Sequence, residues 1–412
     1  MQSKIYLFDL PTTTVDLFTY LCHDKRNLTL TTMPTDFSKA PSPCYILDAD
    51  LLRRNLQLIS RVSKESGAEI ILAFKAFAFW DAFPVIREYF DKSTASSLNE
   101  AILAARELGS LAHTYAPAYT TAEFPEILKC SSHVTFNSLE QYRRLQPATV
   151  NADHPVSLGL RVNPEFSPVS TDLYNPCAPG SRLGIRAEQL PSALPKDIEG
   201  FHFHALCESS AEDLAKLLET FEAKFGQWLP QLKWVNMGGG HLMTRDGYNT
   251  DLLIRLLRQF RERWHVNVIL EPGSAFAWQT GVLAAQVVDI VDNQGILTAM
   301  LNVSFACHMP DCLEMPYKPH IRGAHHDPVP GLPTYRMGGN SCLAGDFVGD
   351  WSFDKPLKIG DTIVFEDMIH YTIVKTTMFN GVAHPALAIY DQRHGLRVVR
   401  RFSYDDYRLR MG

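Results

Sequence analysis

Short apolar runs alternate with amphipathic segments along most of the chain, and this rhythm limits the possible folds more than any other feature. The first run, Ile70-Ile71-Leu72-Ala73-Phe74-Lys75-Ala76-Phe77, follows a helix whose apolar positions 51, 52, 58, 59 and 62 share one face, with Gly67 as its stop. Further strand-like runs are expected at Ser93 to Ser96, Ala112 to Ala116, Val134 to Asn137, Ser157 to Asn163, Ile198 to His204, Trp234 to Met237 and Val266 to Leu270. Helical segments at Ala82 to Phe90, Leu98 to Leu108, 211 to 228 and 250 to 264 separate several of them. About eight strand-then-helix units is the count that closes a (β/α)8 barrel.

The rhythm changes after Gly281. Val282 to Val291, Leu297 to Val303, Thr362 to Phe365, Tyr371 to Thr376 and Leu396 to Phe402 read as β runs divided by proline and glycine, which predicts a C-terminal β-domain of sandwich or barrel type. The expected organisation is an N-terminal extension over 1–32, taken as mobile, and an extended segment over 33–48 that joins the β-domain. The barrel then spans 49–281 and the β-domain 282–412.

Composition bounds the function. A 412-residue chain with 46% hydrophobic and 20% charged residues is globular. Its net charge of −6, with no lysine or arginine block, argues against nucleic acid as the partner. The eight cysteines are scattered without CxxC pairs, which fits a reducing compartment and no metal site. No apolar run is long enough to span a membrane, so a cytoplasmic protein is expected.

In such a barrel the chemistry gathers at the C-terminal ends of the strands. An ammonium leaving a buried strand is costly unless it is paired, exposed at a cleft or covalently used, so Lys75 is a candidate Schiff-base lysine; taken alone, a strand-end lysine simply snorkels to water. Gly238-Gly239-Gly240 follows the seventh strand and lets backbone amides approach an anion such as a phosphate. Glu271-Pro272-Gly273 follows the eighth, and His204 ends the sixth. An amine for an aldehyde, a phosphate cradle and a carboxylate for a ring nitrogen together describe the needs of pyridoxal 5'-phosphate. Alternation places His202 and His204 on one side of their strand, and His204, nearer its end, is better placed to stack on a cofactor ring.

The order and spacing of these segments, with Ser341-Cys342 and Tyr371-Thr372 leading to Phe379-Asn380-Gly381, resemble the pyridoxal phosphate decarboxylases of the alanine racemase fold (fold type III), the group that includes ornithine and diaminopimelate decarboxylases. The resemblance covers about residues 41 to 390. Within the family, Leu173 to Gly184, His202 to Glu208, His308-Met309-Pro310-Asp311 with Glu314-Met315-Pro316-Tyr317, and Cys342 to Asp346 are most similar to the branch acting on carboxynorspermidine and carboxyspermidine.

The resemblance implies that Lys75 anchors the cofactor covalently, His204 stacks on its ring and Glu271 pairs with its nitrogen. Gly238, Gly239, Gly240, Gly273 and Tyr371 would hold the phosphate. Cys342 would enter from a second subunit as a proton donor, making a homodimer with shared active sites. A polycationic substrate calls for carboxylates away from the lysine, and Asp311, Glu314, Asp172 and Glu208 are the candidates, in that order. Two departures are visible. Ser274 stands where ornithine decarboxylases carry arginine, and Ser93 and Thr94 stand where they carry an acidic residue, so the surroundings of the lysine should be less acidic. The alternatives are diaminopimelate or another basic amino-acid decarboxylase of the same fold, and a non-catalytic regulator resembling antizyme inhibitor.

Overall fold

The computed structural model describes residues 37, 39–314 and 316–412. The expected N-terminal extension over 1–32 lies outside the described residues.

Nine strand segments form one all-parallel sheet. Two of them, Glu69–Ile70 and Leu72–Ala73, belong to a single strand interrupted at Ile71, the first pairing with Asn267–Leu270 and the second with Ser93–Ala95. The Ile71 amide donates to the Leu270 carbonyl, and the Ala73 amide donates to the Pro272 carbonyl. Eight strands thus close on themselves, and the break lies just upstream of Lys75.

The first helix, Ala49–Ser66, shows why this sequence folds locally as it does. The Asp48 carboxylate accepts the amides of Asp50 and Leu51 at the N-terminus, and Gly67 adopts the left-handed conformation (φ 71°) that ends the helix. Leu52, Leu56 and Ile59 on its inner face are fully buried. Leu98–Leu103 continues through a wider turn, Ala104–Leu108, to Gly109. The helix expected over Ala82 to Phe90 is shorter, a single turn at Phe83–Ile86.

Inside the barrel, alternate residues of each strand meet. Ile71, Trp234 and Ile269 pack together at one level, and the Trp234 indole lies against Gly159 and Gly200, where any Cβ would collide with it. His113 and His133 stack beside them with ring centroids 3.8 Å apart, and His133 meets Trp234 edge-on.

The second sheet is mixed and also has nine strands. Its longest strand, Gly281–Asn293, pairs with Cys44–Asp48, Ile296–Leu301 and Thr362–Glu366. Cys44–Asp48 also pairs in parallel with Ala386–Asp391, so the segment ahead of the first helix is a full member of the β-domain. The strand expected over Tyr371 to Thr376 does not form: Tyr371 has φ 53° and opens a 3-10 turn at Thr372–Val374. Strands at Thr334–Gly338 and Phe347–Phe353 and a terminal helix at Tyr404–Met411 were not apparent from the pattern.

Candidate active site

The strand ends converge on one cleft. It opens to solvent, spans about 420 Å³ and is lined by Lys75, His204, Glu271, Gly239, Gly240 and Tyr371 together with Gly273, Ser274, Cys207 and Glu208. Lys75 lies two residues beyond the strand, in the turn of Phe74 to Ala76, and His204 lies two residues beyond Ile198–His202. The chemistry therefore sits in the first residues after the strands.

Glu271 is the electrostatic centre of the floor. Its side chain is buried, Oε1 accepts the Asn236 amide at 2.6 Å, and Oε2 lies 3.5 Å from His202 Nε2. Burial alone would raise this carboxyl; His202, the Asn236 amide and Lys75 outweigh it and hold it down at about 2. Asn236 Oδ1 in turn accepts the Gly238 amide at 2.9 Å, which ties the glycine turn to the carboxylate.

His204 is held as a neutral ring. The Gly239 amide donates to its Nδ1 at 2.8 Å, so the imidazole proton belongs on Nε2. Burial, then the Lys75 and Arg161 charges, push its pKa well below the ordinary value. Lys75 is likewise pulled down by burial, with Glu271 opposing and Arg161 reinforcing.

The expected site residues divide into two groups. Lys75, His204, Glu271, Gly239, Gly240, Gly273, Tyr371 and Glu208 meet at the cleft. Gly238 does not line it; a Cβ there would meet the Phe203 carbonyl at 2.6 Å, and its amide is used by Asn236. The Gly239 amide is used by His204, so two of the three glycine amides serve side chains of this chain. Cys342 is exposed and does not line the cleft of its own chain; its amide donates to Asn380 Oδ1 at 2.8 Å. Asp172 is exposed in the 3-10 turn Asp172–Tyr174 and is not among the residues that line the cleft. Asp311 and Glu314 are ion-paired with Lys375, and Asp311 is close enough to raise the Tyr371 phenol, after burial and the Cys207 and Glu208 charges.

Sequence reasoning missed several residues of the floor. Arg161 is buried, donates to the His204 carbonyl at 3.3 Å and lies 4.6 Å over the Tyr115 ring. Tyr115 packs against His202, and its hydroxyl donates to Asn137 Oδ1 at 2.8 Å. Glu100, whose carboxylate accepts the Ser96 amide at 2.6 Å, feels the Lys75 charge, so the lysine has a carboxylate in its wider field from the following helix although Ser93 and Thr94 are neutral. Inward alternation was the available signal for Arg161 and Tyr115; for Glu100 there was none beyond helix position.

A family model described as "Pyridoxal-dependent decarboxylase, C-terminal sheet domain" matches residues 7–369. The chain belongs to the pyridoxal-dependent decarboxylases. Among curated members of that family, the carboxyaminopropylagmatine decarboxylase of Synechocystis sp. is 50% identical over 91% of this chain and 96% of its own length. The carboxynorspermidine/carboxyspermidine decarboxylase of Campylobacter jejuni is 46% identical over 91% of this chain and 99% of its own. A crystal structure of C. jejuni carboxynorspermidine decarboxylase complexed with norspermidine superposes with a TM-score of 0.83 at 45% identity, covering 90% of this chain and 99% of that one. Diaminopimelate decarboxylase from M. jannaschii, at 17% identity and a TM-score of 0.72, shares the fold.

The cleft fits the cofactor of these decarboxylases. An amine, a buried carboxylate and a neutral imidazole surround one space, as pyridoxal phosphate requires. Gly273 and Gly239 keep the walls thin: Cβ atoms there would meet Ala76 Cβ at 2.4 Å and the Glu271 carbonyl at 2.5 Å.

Proposed function

We propose that this pyridoxal-dependent decarboxylase removes the α-carboxylate of carboxynorspermidine or carboxyspermidine, releasing norspermidine or spermidine in polyamine biosynthesis. The observation that carries the substrate class is the Asp311–Glu314 carboxylate pair beside the cleft. Such a pair suits the far cation of a polyamine and would repel the distal carboxylate of diaminopimelate. The relatives named for carboxylated polyamines support the same reading.

Lys75 would hold the cofactor's aldehyde, and its lowered pKa favours the amine that this needs. Glu271 would keep a proton on the ring nitrogen, since its own carboxyl releases one far more readily. His204, neutral and carrying its proton on Nε2, would stack on the ring without opposing its charge. Gly240, Gly273 and Tyr371 would hold the phosphate. Pyridoxal phosphate, when bound, supplies the electron sink for the bond that breaks at the substrate's α-carbon.

Cys342 of the partner subunit returns the proton to that carbon in a homodimer. Leu343, Phe347 and Phe379 are exposed around the Cys342 loop, which is the kind of apolar surface a second copy covers. No helix among the described residues is long and apolar enough to cross a membrane.

A second reading is favoured by the Synechocystis relative: carboxyaminopropylagmatine, which ends in a guanidinium that two carboxylates also receive well. Carbon dioxide release from all three carboxylated polyamines, diaminopimelate and ornithine, measured side by side, tests the proposal. Turnover is expected with one or more carboxylated polyamines and abolished by Lys75→Ala, together with the visible absorbance of the lysine-bound cofactor. Turnover confined to diaminopimelate or ornithine would overturn it.

A further inference from the structure

The Asp311–Glu314 pair already holds a cation. Lys375 Nζ donates to Asp311 Oδ1 at 2.5 Å and also contacts Glu314 Oε2. The two carboxylates belong to the turn Asp311–Glu314, whereas Lys375 closes the 3-10 turn that begins after Tyr371. The Tyr371 amide donates to the Ala76 carbonyl at 2.8 Å, one residue from Lys75, so the segment bearing Lys375 starts at the cleft. Tyr174, from the loop after the fifth barrel strand, lies in the field of Lys375, Asp311 and Glu314 together.

We propose that Lys375 is a resident stand-in for the far ammonium of the substrate, and that a carboxylated polyamine binds by displacing it from Asp311 and Glu314. The inference rests on the polyamine reading and adds a specificity-determining residue to it.

The chemistry of the three groups supports displacement. Two carboxylates and one ammonium leave a single negative charge, so the cluster attracts one more cation without being an open anion sink. The Lys375 side chain is about one-third exposed and carries a flexible four-carbon stem, so its ammonium can move to water at little cost. A free monocation must compete with Lys375 from bulk solution. A polyamine whose α-carbon is already seated delivers its far ammonium at a high effective concentration and competes on better terms. The resident lysine therefore selects ligands by the spacing of their charges, and it relieves repulsion between Asp311 and Glu314 when no ligand is present.

The test uses the cofactor-loaded enzyme and calorimetric titration at low salt with norspermidine and, as a probe lacking the far cation, propylamine. Lys375→Met is expected to tighten norspermidine about tenfold, from the loss of one nearby positive charge in a partly screened site, and to leave propylamine unchanged. Adding Glu314→Gln to that variant restores the net charge and should bring norspermidine affinity back toward wild type. Lys375→Arg, which keeps the charge and grips carboxylates with a planar fork, should weaken norspermidine binding and serves if the methionine variant does not fold. Weaker or unchanged norspermidine binding in Lys375→Met, an equal change for both ligands, or tighter binding in Lys375→Arg would each overturn the proposal. If the wild-type enzyme bound norspermidine no better than propylamine, the polyamine reading itself would fail, whatever Lys375 does.

Discussion

Gly273→Ala isolates the contact on which the cofactor wall depends. Gly273 has φ −108° and ψ −64°, a region open to alanine, so the substitution carries no backbone objection and by itself slightly restrains the unfolded chain. The difficulty is a single contact: the new Cβ would lie 2.4 Å from Ala76 Cβ, while its next neighbours, Ala73 Cβ and the Ala73 carbonyl, are at an ordinary 3.5 Å. Carbon atoms prefer about 3.5–4.0 Å, so one side must retreat by about 1 Å. Ala76 has no rotamer to change, and the movement must come from the backbone of the turn that carries Lys75. Overpacking of this kind costs about 1–3 kcal/mol.

The Ala76 carbonyl also accepts the Tyr371 amide, so the shift reaches two cleft residues at once. A displacement of about 1 Å at a reacting group lowers turnover by about a hundredfold. Urea denaturation gives the first quantity, and the visible absorbance of the lysine-bound cofactor with decarboxylation rates gives the second. Ala76→Gly removes the opposing methyl, so Ala76→Gly with Gly273→Ala should recover most of both losses and give a coupling of about 1–2 kcal/mol in the double-mutant cycle. Gly345, with nothing within 4 Å of its Cβ position and no left-handed φ, supplies the control: Gly345→Ala should leave stability unchanged. A stable, spectrally normal Gly273→Ala, or a double variant no better than the sum of the singles, would refute the argument.

Asn236→Ala removes the 2.6 Å donor to Glu271 and the acceptor for the Gly238 amide, leaving buried polar groups unpaired at a cost of about 1–3 kcal/mol, and cofactor affinity measured by equilibrium dialysis should fall by about ten- to a hundredfold. Glu271 has its carboxyl lowered from 4.5 to about 2, so its contribution to stability is present in full above pH 4.5 and is lost as pH falls through that window; apo-protein denaturation from pH 5 to 2 should show a shallower slope in Glu271→Gln than in wild type, and equal slopes would contradict the assignment. Cys207 is exposed as a residue, but desolvation of its thiol among the cleft residues and then Glu208, against Lys75, push the thiol up to about 11, so its alkylation followed by mass spectrometry should be slow at pH 8 and keep accelerating to about pH 11; a plateau near pH 9 would rule this out.

The parts of the site legible in the sequence are those whose signal is local. A lysine after an apolar run, three successive glycines and Glu271-Pro272-Gly273 each announce themselves within a few residues, and the count of strand units placed them at one end of a barrel. What escaped depends on register between distant strands. Arg161 and Tyr115 meet across the barrel floor, and His202, set aside in favour of His204, turns inward to Glu271. Nothing within Trp234-Val235-Asn236-Met237 reveals that Asn236 joins a carboxylate to a glycine amide. Nor does the glycine triplet reveal that two of its amides go to side chains of this chain. The 3-10 turn after Tyr371 was misread as a strand because Tyr371 to Thr376 is rich in β-branched residues, and propensity yielded to the bond that fixes Tyr371 to Ala76.

The same division separates cofactor chemistry from substrate choice. Lys75, His204, Asn236, Glu271 and Gly273 all follow or end barrel strands and, in the reaction proposed, would serve the cofactor. Asp311, Glu314 and Lys375 come from connections of the β-domain, and Tyr174 from a long loop between Val162 and Ile185, which bridge to each other at its base. On the proposed reading the substrate-facing groups thus sit on segments that can change without disturbing the closed sheet. A diaminopimelate decarboxylase keeps the whole fold at 17% identity, as expected where a scaffold is retained and the segments around its site vary. This separation locates where specificity is to be altered: an exchange of charge at 311, 314 and 375 should change which ligand is accepted while the absorbance of the lysine-bound cofactor stays the same, because none of those three residues lines the cleft of Lys75.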